Sequence, residues 1–193
     1  MRINEIFYSV QGEGRFTGTP AVFLRFSGCN LRCPFCDTDH SAFEELSEAE
    51  IVSRVGKYPA RHLVVTGGEP LLQFQESLAR ALHREGFFIQ VETNGTIALG
   101  EGLEKLVDWV TCSPKSLPVN LKRIDELKVV FTGQALEPYA GIPLTDGGCR
   151  CLQPCDEGDP VRNEANLRAA IECVKADPGW RLSLQMHKLM GIK

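Results

Sequence analysis

Apolar runs of strand length recur along the chain, each followed by a polar or glycine-rich stretch. They fall at 21–26, 62–66, 87–91, 109–112, 127–131 and 180–185. Amphipathic segments lie between several of them. Ser47 and Glu50 read as a capping box that opens a short helix ending near Gly56. Pro70 suits the first position of a helix whose Leu71, Phe74, Leu78 and Leu82 share a face and which Gly86 stops. A weaker helical stretch covers 103–107, and Leu167, Ala170, Ile171 and Val174 share one face of a last helix. No strand is assigned to 1–19, nor to the loop-rich region after 131 that runs to Asp156. Strands alternating with helices predict an α/β fold of βα units around a parallel sheet. Six strands are too few for an eight-stranded barrel, so the expectation is an open, partial (βα)6-type barrel. No linker or internal repeat divides residues 1–193, which are read as one domain.

Composition narrows the function class. At 43% hydrophobic and 24% charged residues, the chain is ordinary for a globular protein. A net charge of −4 without a Lys/Arg tract lacks the footprint of a nucleic-acid binder and favours a small-molecule substrate. No apolar run approaches membrane-spanning length and no h-region opens the chain, so no membrane partner and a cytoplasmic location are expected. In that setting eight cysteines point to metal or reactive thiols rather than disulfides.

The chemistry concentrates at residues 27–40, where Cys29, Cys33 and Cys36 stand in C-x3-C-x2-C spacing. Three soft thiolates on one short loop suit an iron–sulfur cluster or zinc. A closed site usually takes four protein ligands, so three would leave one iron of a four-iron cluster open to chemistry. The spacing alone also admits a zinc site with a distant fourth ligand, or three unrelated thiols. Further polar motifs follow strands, namely Gly67-Gly68-Glu69-Pro70, Glu92-Thr93-Asn94-Gly95 and Ser113-Pro114-Lys115, and Gln153-Pro154-Cys155-Asp156, at the end of the loop-rich region, is grouped with them. In parallel α/β folds such strand ends gather on one ligand-binding face. Arg25, inside an apolar run, needs an anion, whether in a structural ion pair or on a ligand carboxylate. Cys149, Cys151 and Cys155 form a C-x-C-x3-C run that admits a second metal, although plain thiols beside a cofactor loop are preferred. His62 and His83 are read as satisfied or solvated, and Cys112 and Cys173 as buried structural thiols.

The cysteine loop and Gly-Gly-Glu-Pro motif together resemble the radical S-adenosylmethionine (SAM) enzymes. In that superfamily the open iron chelates SAM, and one electron releases a 5′-deoxyadenosyl radical that abstracts a substrate hydrogen. With Gln11-Gly12-Glu13-Gly14, Cys36-Asp37-Thr38 and a Gln185-x-His187-Lys188 tail, the pattern is similar along nearly the whole chain to the 7-carboxy-7-deazaguanine synthase family. Those lyases of queuosine biosynthesis convert 6-carboxy-5,6,7,8-tetrahydropterin to 7-carboxy-7-deazaguanine with loss of ammonia.

The resemblance implies a [4Fe-4S] cluster on Cys29, Cys33 and Cys36, and Mg2+ on Thr38. It implies substrate contacts at Val10, Gln11, Gly12, Glu13, Arg25, Thr66 and, through a terminal carboxylate, Lys193. SAM would meet Phe35, Asp37, Gly68, Glu92, Ser113, Pro114, Lys115, Gln153, Pro154, Cys155 and Asp156. Residues 1–20 would form the substrate-binding segment. A homodimer and a flavodoxin or ferredoxin electron donor are also implied. The family commonly lacks a run like Cys149 to Cys155 and a terminal lysine. A glycyl-radical activase and a non-catalytic iron–sulfur or zinc module are the alternatives.

Overall fold

The apolar runs do form strands, and their order explains where the polar motifs meet. The structure, a computed structural model, describes residues 1–193. The strands are β1 (Arg2–Val10), β2 (Pro20–Phe26), β3 (Glu44–Glu45), β4 (His62–Gly67), β5 (Phe88–Thr93), β6 (Trp109–Cys112), β7 (Glu126–Phe131), β8 (Cys149–Pro154) and β9 (Trp180–Leu182). The helices are α1 (Glu48–Val55), α2 (Glu76–Arg84), α3 (Glu101–Glu104), α4 (Glu137–Ala140), α5 (Pro160–Ala176) and α6 (Met186–Met190). All nine strands join one sheet in the order β3-β1-β2-β4-β5-β6-β7-β8-β9. From β2 to β9 every pairing is parallel, whereas β1 pairs antiparallel with both β2 and β3. The sheet is therefore open, as expected, but it carries seven parallel strands rather than six, and two antiparallel ones beside them.

The differences have local causes. β1 hides from a period-two reading because its register against β2 shifts between Ile3 and Glu5, which breaks the alternation. β8 begins at Cys149, so the C-x-C-x3-C run is mostly strand, with Leu152 its one large apolar residue facing the helices. The single helix expected from Pro70 to Gly86 is two pieces, a 3-10 turn at Pro70–Leu72 and then α2. Gln73 marks the break: its Nε2 donates to Ser27 O at 2.7 Å and its Oε1 accepts from Arg2 N at 2.8 Å. The strand expected at 180–185 ends at Leu182, and Met186 starts α6.

The capping box of α1 forms as read, with Ser47 Oγ accepting from Glu50 N and the Glu50 carboxylate accepting from Ser47 N. Twenty buried residues from β1–β6 and α1–α3 make one core; nine around β7, β8, β9 and α5 make another. Both lie on the helix side of the sheet; the opposite face carries the polar groups together with an aromatic cluster of Phe16, His62, Phe88 and Trp109. No helix is long and apolar enough to cross a membrane.

Candidate active site

The cysteine loop leaves the end of β2 and is pinned at its neck and middle. Ser27 Oγ donates to His40 O at 3.0 Å, joining the two ends of the loop. Asn4 Nδ2 donates to Asp39 O and Ala42 O, and Asn30 exchanges hydrogen bonds with Thr96 and Asn94 at 2.8 and 3.0 Å. All three thiols are free; Cys29 and Cys36 are exposed and Cys33 is half-buried. Burial pushes the Cys33 thiol up; Lys115 pulls against that, and Cys29 and Cys36 add to it.

The Gly67-Gly68-Glu69-Pro70 turn presses directly against this loop. A Cβ on Gly68 would stand 2.4 Å from Gly28 O and 2.6 Å from Cys29 Cβ, and one on Gly67 (φ +148°) would stand 2.3 Å from Phe26 O. Glu69 N donates to Gly28 O at 3.0 Å. The Glu69 side chain, fully buried, accepts from Thr93 Oγ1, Asn94 N and Leu71 N at 2.8–3.0 Å. Burial raises its pKa, and those donors pull it back. One carboxylate thus locks the ends of β4 and β5 beneath the cysteines.

A charged triad forms the pocket floor. Lys128 Nζ, from the middle of β7, reaches Glu13 at 2.6 Å and Glu92 at 3.1 Å. Gln11 Nε2 donates to Glu92 at 2.9 Å, and Gln185 Nε2 donates to Glu13 at 2.9 Å. Burial would raise the Glu13 carboxyl, but the charge and hydrogen bond of Lys128 hold it at about 2. Burial likewise works against Lys128, and its carboxylate neighbours overcome it, so its pKa is raised.

The rim is cationic and is closed by the segment after β9. Lys188 bridges Asp37 at 3.3 Å and Asp156 at 2.8 Å, tying α6 to the cysteine loop and to the end of β8. Its hydrogen bond is the main reason that Asp156 is held at about 2. Lys115 Nζ lies 5.7 Å from the centre of the Phe35 ring. Arg25 pairs with Glu5 at 3.0 Å and also lines the pocket wall. Ser9 Oγ donates to Lys193 O at 2.6 Å, and Lys193 Nζ reaches Glu5.

These groups surround one cavity of 270 Å³. Of the residues proposed from sequence, Cys29, Cys33, Cys36, Thr38, Val10, Gln11, Glu13, Arg25, Thr66 and Lys193 line it. So do Phe35, Asp37, Gly68, Glu92, Ser113, Lys115, Gln153, Pro154, Cys155 and Asp156. Gly12 and Pro114 do not; Gly12 lies behind the wall, where a Cβ would stand 2.5 Å from His187 Nδ1. The sequence reading missed Lys128, Glu5 and Glu69 as working groups, although Lys128 gives the same signal as Arg25, a cation inside an apolar run. His62 is satisfied as expected, by Gln90 at 2.8 Å, and burial pushes the Cys112 thiol up to about 12. Cys173 is half-buried rather than buried. Cys155 parts from its neighbours: it lines the cavity, whereas Cys149 and Cys151 do not.

The donor set fits an iron–sulfur cluster. Three unpaired thiols from one loop face one cavity, beside glycines that admit close approach and a buried lysine. Three local thiols suit a four-iron cluster with one open iron better than a closed zinc site, which takes four protein ligands. Ligand atoms within 4.8 Å of one another occur elsewhere, at Glu126, Cys149 and Cys151.

Comparison with known proteins points the same way. Residues 24–134 match the radical SAM superfamily. The chain is 48% identical to a 7-carboxy-7-deazaguanine synthase of Bacteroides thetaiotaomicron, over 100% of this chain and 98% of that one. It is 39% identical to the enzyme of the same name from Burkholderia multivorans, over 98% of each. The crystal structure of QueE from Escherichia coli superposes with a TM-score of 0.78 at 31% identity, covering 96% of this chain and 94% of that one.

Proposed function

Because the chain belongs to the radical SAM superfamily and, within it, to the 7-carboxy-7-deazaguanine synthases, we propose that its cavity converts 6-carboxy-5,6,7,8-tetrahydropterin to 7-carboxy-7-deazaguanine. Ammonia is lost, and the product feeds queuosine biosynthesis. The observation that carries this reading is convergence: the free cysteines, the glycine turn and the Glu13–Lys128–Glu92 triad all face one cavity.

Cys29, Cys33 and Cys36 would hold a [4Fe-4S] cluster, and the glycine turn at Gly68 would receive SAM. When bound, the cluster and SAM supply one-electron cleavage and a hydrogen-abstracting radical. The protein's own work is positioning and exclusion of water. Gly68 lets the backbone meet the ligand beside Cys29 without a side chain between them. Ser113, Lys115, Glu92 and the stretch Gln153–Asp156 form the wall assigned to SAM, with Phe35 and Asp37 opposite. Val10, Gln11, Glu13, Arg25 and Thr66 form the wall assigned to the pterin. A neutral, hydrogen-bonding pterin ring suits Gln11 and Glu13, its carboxylate suits the guanidinium of Arg25, which it would share with Glu5, and Lys193 closes the wall beside them. Gly12 and Pro114 would act from behind these walls.

Thr38 offers a hydroxyl beside Asp37, 3.5 Å away, an oxygen pair that suits the hard cation Mg2+. We read residues 1–193 as one catalytic unit, supported by the uninterrupted sheet. A flavodoxin- or ferredoxin-type donor, a homodimer and a cytoplasmic setting belong to the same reading. The exposed Cys29 and Cys36 give an electron donor access, and exposed Leu72, Val161 and Leu189 offer surface to a second subunit.

The test is anaerobic turnover of reconstituted protein with the carboxytetrahydropterin, SAM, reductant and Mg2+, read by product mass. Formation of the deazaguanine carboxylate is expected, and Thr38→Ala should need more Mg2+ for the same rate. SAM cleavage without that product would overturn the substrate and favour a protein-activating role; no cleavage from an intact cluster would overturn both.

A further inference from the structure

A second group of ligand-type side chains lies toward the opposite ends of the same strands. Glu126 opens β7 and Cys149 opens β8, and the two are register partners. Alternation along the strands puts Glu126 on the face of Lys128 and Val130, and puts Cys149 and Cys151 on the face of Gln153. Lys128, Val130 and Gln153 line the cavity, so the three groups sit on its side of the sheet, below its floor. All three are buried, and their ligand atoms lie within 4.8 Å of one another.

Independently, one atom of the group is left without a partner. Glu126 is 1% exposed; its Oε2 accepts from Arg15 N at 2.8 Å, but its Oε1 has no hydrogen-bond partner. The turn above leaves room for that oxygen: a Cβ on Gly14 (φ +66°) would fall 2.0 Å from it. Trp109 Nε1, beside the same carboxylate, also lacks a partner at hydrogen-bonding geometry. A buried carboxylate in reach of two thiols, with one oxygen that no donor meets at hydrogen-bonding geometry, has the chemistry of a cation ligand.

We propose that Glu126, Cys149 and Cys151 form a second metal centre that takes one soft divalent cation of the zinc class, separate from the Cys29–Cys33–Cys36 loop. Two thiolates select a soft or borderline ion, and a carboxylate oxygen is an ordinary third ligand for it. Three protein ligands leave a tetrahedral position for water. Three anionic ligands on a dication leave one negative charge, and Lys128, the register partner of Cys151, stands beside it. Cys155 takes no part, because it lies past the end of β8 on the cavity wall.

The test uses the full chain, produced with zinc in the medium, reconstituted with its cluster under reductant and desalted. Zinc and iron are counted, and the zinc environment is read by X-ray absorption at the zinc edge, which the iron does not obscure. One zinc per chain is expected, with two sulfurs at about 2.3 Å and the rest oxygen. Cys149→Ser/Cys151→Ser should lose the zinc and keep the iron. Should that variant fail to fold, Glu126→Gln keeps shape and should still reduce zinc retention about tenfold or more. Zinc with three sulfurs, zinc undiminished in a folded variant, or no zinc in the parent protein would overturn the proposal. In the last case Trp109 is left to serve Glu126.

Discussion

Two carboxylates, Glu13 and Glu92, meet one ammonium, Lys128, where little water reaches. Removing the cation strands both anions, and breaking a buried pair in this way costs about 3–5 kcal/mol. Lys128→Met is therefore expected to lose that much in urea unfolding of the cluster-free protein at pH 7, and to abolish turnover. The pH dependence carries the sign. Folding lowers the Glu13 carboxyl from 4.5 to about 2, so its contribution is complete above 4.5 and disappears as pH falls toward about 2. Folding raises Lys128 above 10.5, so its contribution is complete below that value and is lost only as pH rises past it. The parent protein should thus lose stability from pH 5 downward. In Lys128→Met, Glu13 is buried without its cation and its carboxyl is pushed up, so stability should rise between pH 7 and 5. Equal slopes in the two proteins would refute the triad. Arg25 and Lys128 are equally visible in the sequence as cations in apolar runs. Their partners, Glu5 and Glu13, lie 20 and 115 residues away, a distance that no local pattern spans.

At the scale of elements, the motifs were legible because each is punctuation at a strand end, and what stayed hidden was strand or helix interrupted by a tertiary contact. β1 bends at its register shift, β8 is written in cysteines, and Gln73 spends its side chain on Ser27 and Arg2 where a helix would otherwise run on. The same logic locates a sensitive packing point between two loops. Gly68 sits where a methyl group would overlap Gly28 O at 2.4 Å, and backbone there has no flexible end to swing away. Gly68→Ala must push the cysteine loop off the β4–β5 ends. The expected outcome is a folded protein with reduced iron content after reconstitution and SAM binding weakened about tenfold or more, since misplacement of about 1 Å is costly. Gly100→Ala is the control, because nothing lies within 4 Å of a Cβ there. Equal iron loading and SAM binding in the two variants would mean that the turn does not support the loop.

For the whole molecule, the open sheet raises the question of what closes the pocket between its β1 side and its β9 edge. No strand does so. The chain after β9 crosses back to the first segment instead: Gly14 N donates to Ser183 Oγ at 2.9 Å, Met186 N donates to Gly12 O at 3.0 Å, and Gln185 reaches Glu13. Lys188 then ties this crossing to the cysteine loop through Asp37 and to β8 through Asp156, while Ser9 and Glu5 hold Lys193. Almost none of these bonds belongs to either core, so the crossing contributes closure more than folding stability. Removing residues 186–193 should leave the sheet intact, and the iron content of the reconstituted protein near that of the parent. Product formation should fall about 100-fold or more, because the walls assigned to the pterin and to SAM lose their shared anchor and water enters. Lys188→Met should give a milder form of the same defect, a higher KM for SAM that added salt mimics in the parent protein, as a half-exposed ion pair is screened. Near-parental turnover in the truncated protein would show that the strands alone close the site; loss of the cluster along with turnover would show that the crossing is part of the cysteine loop's own scaffold.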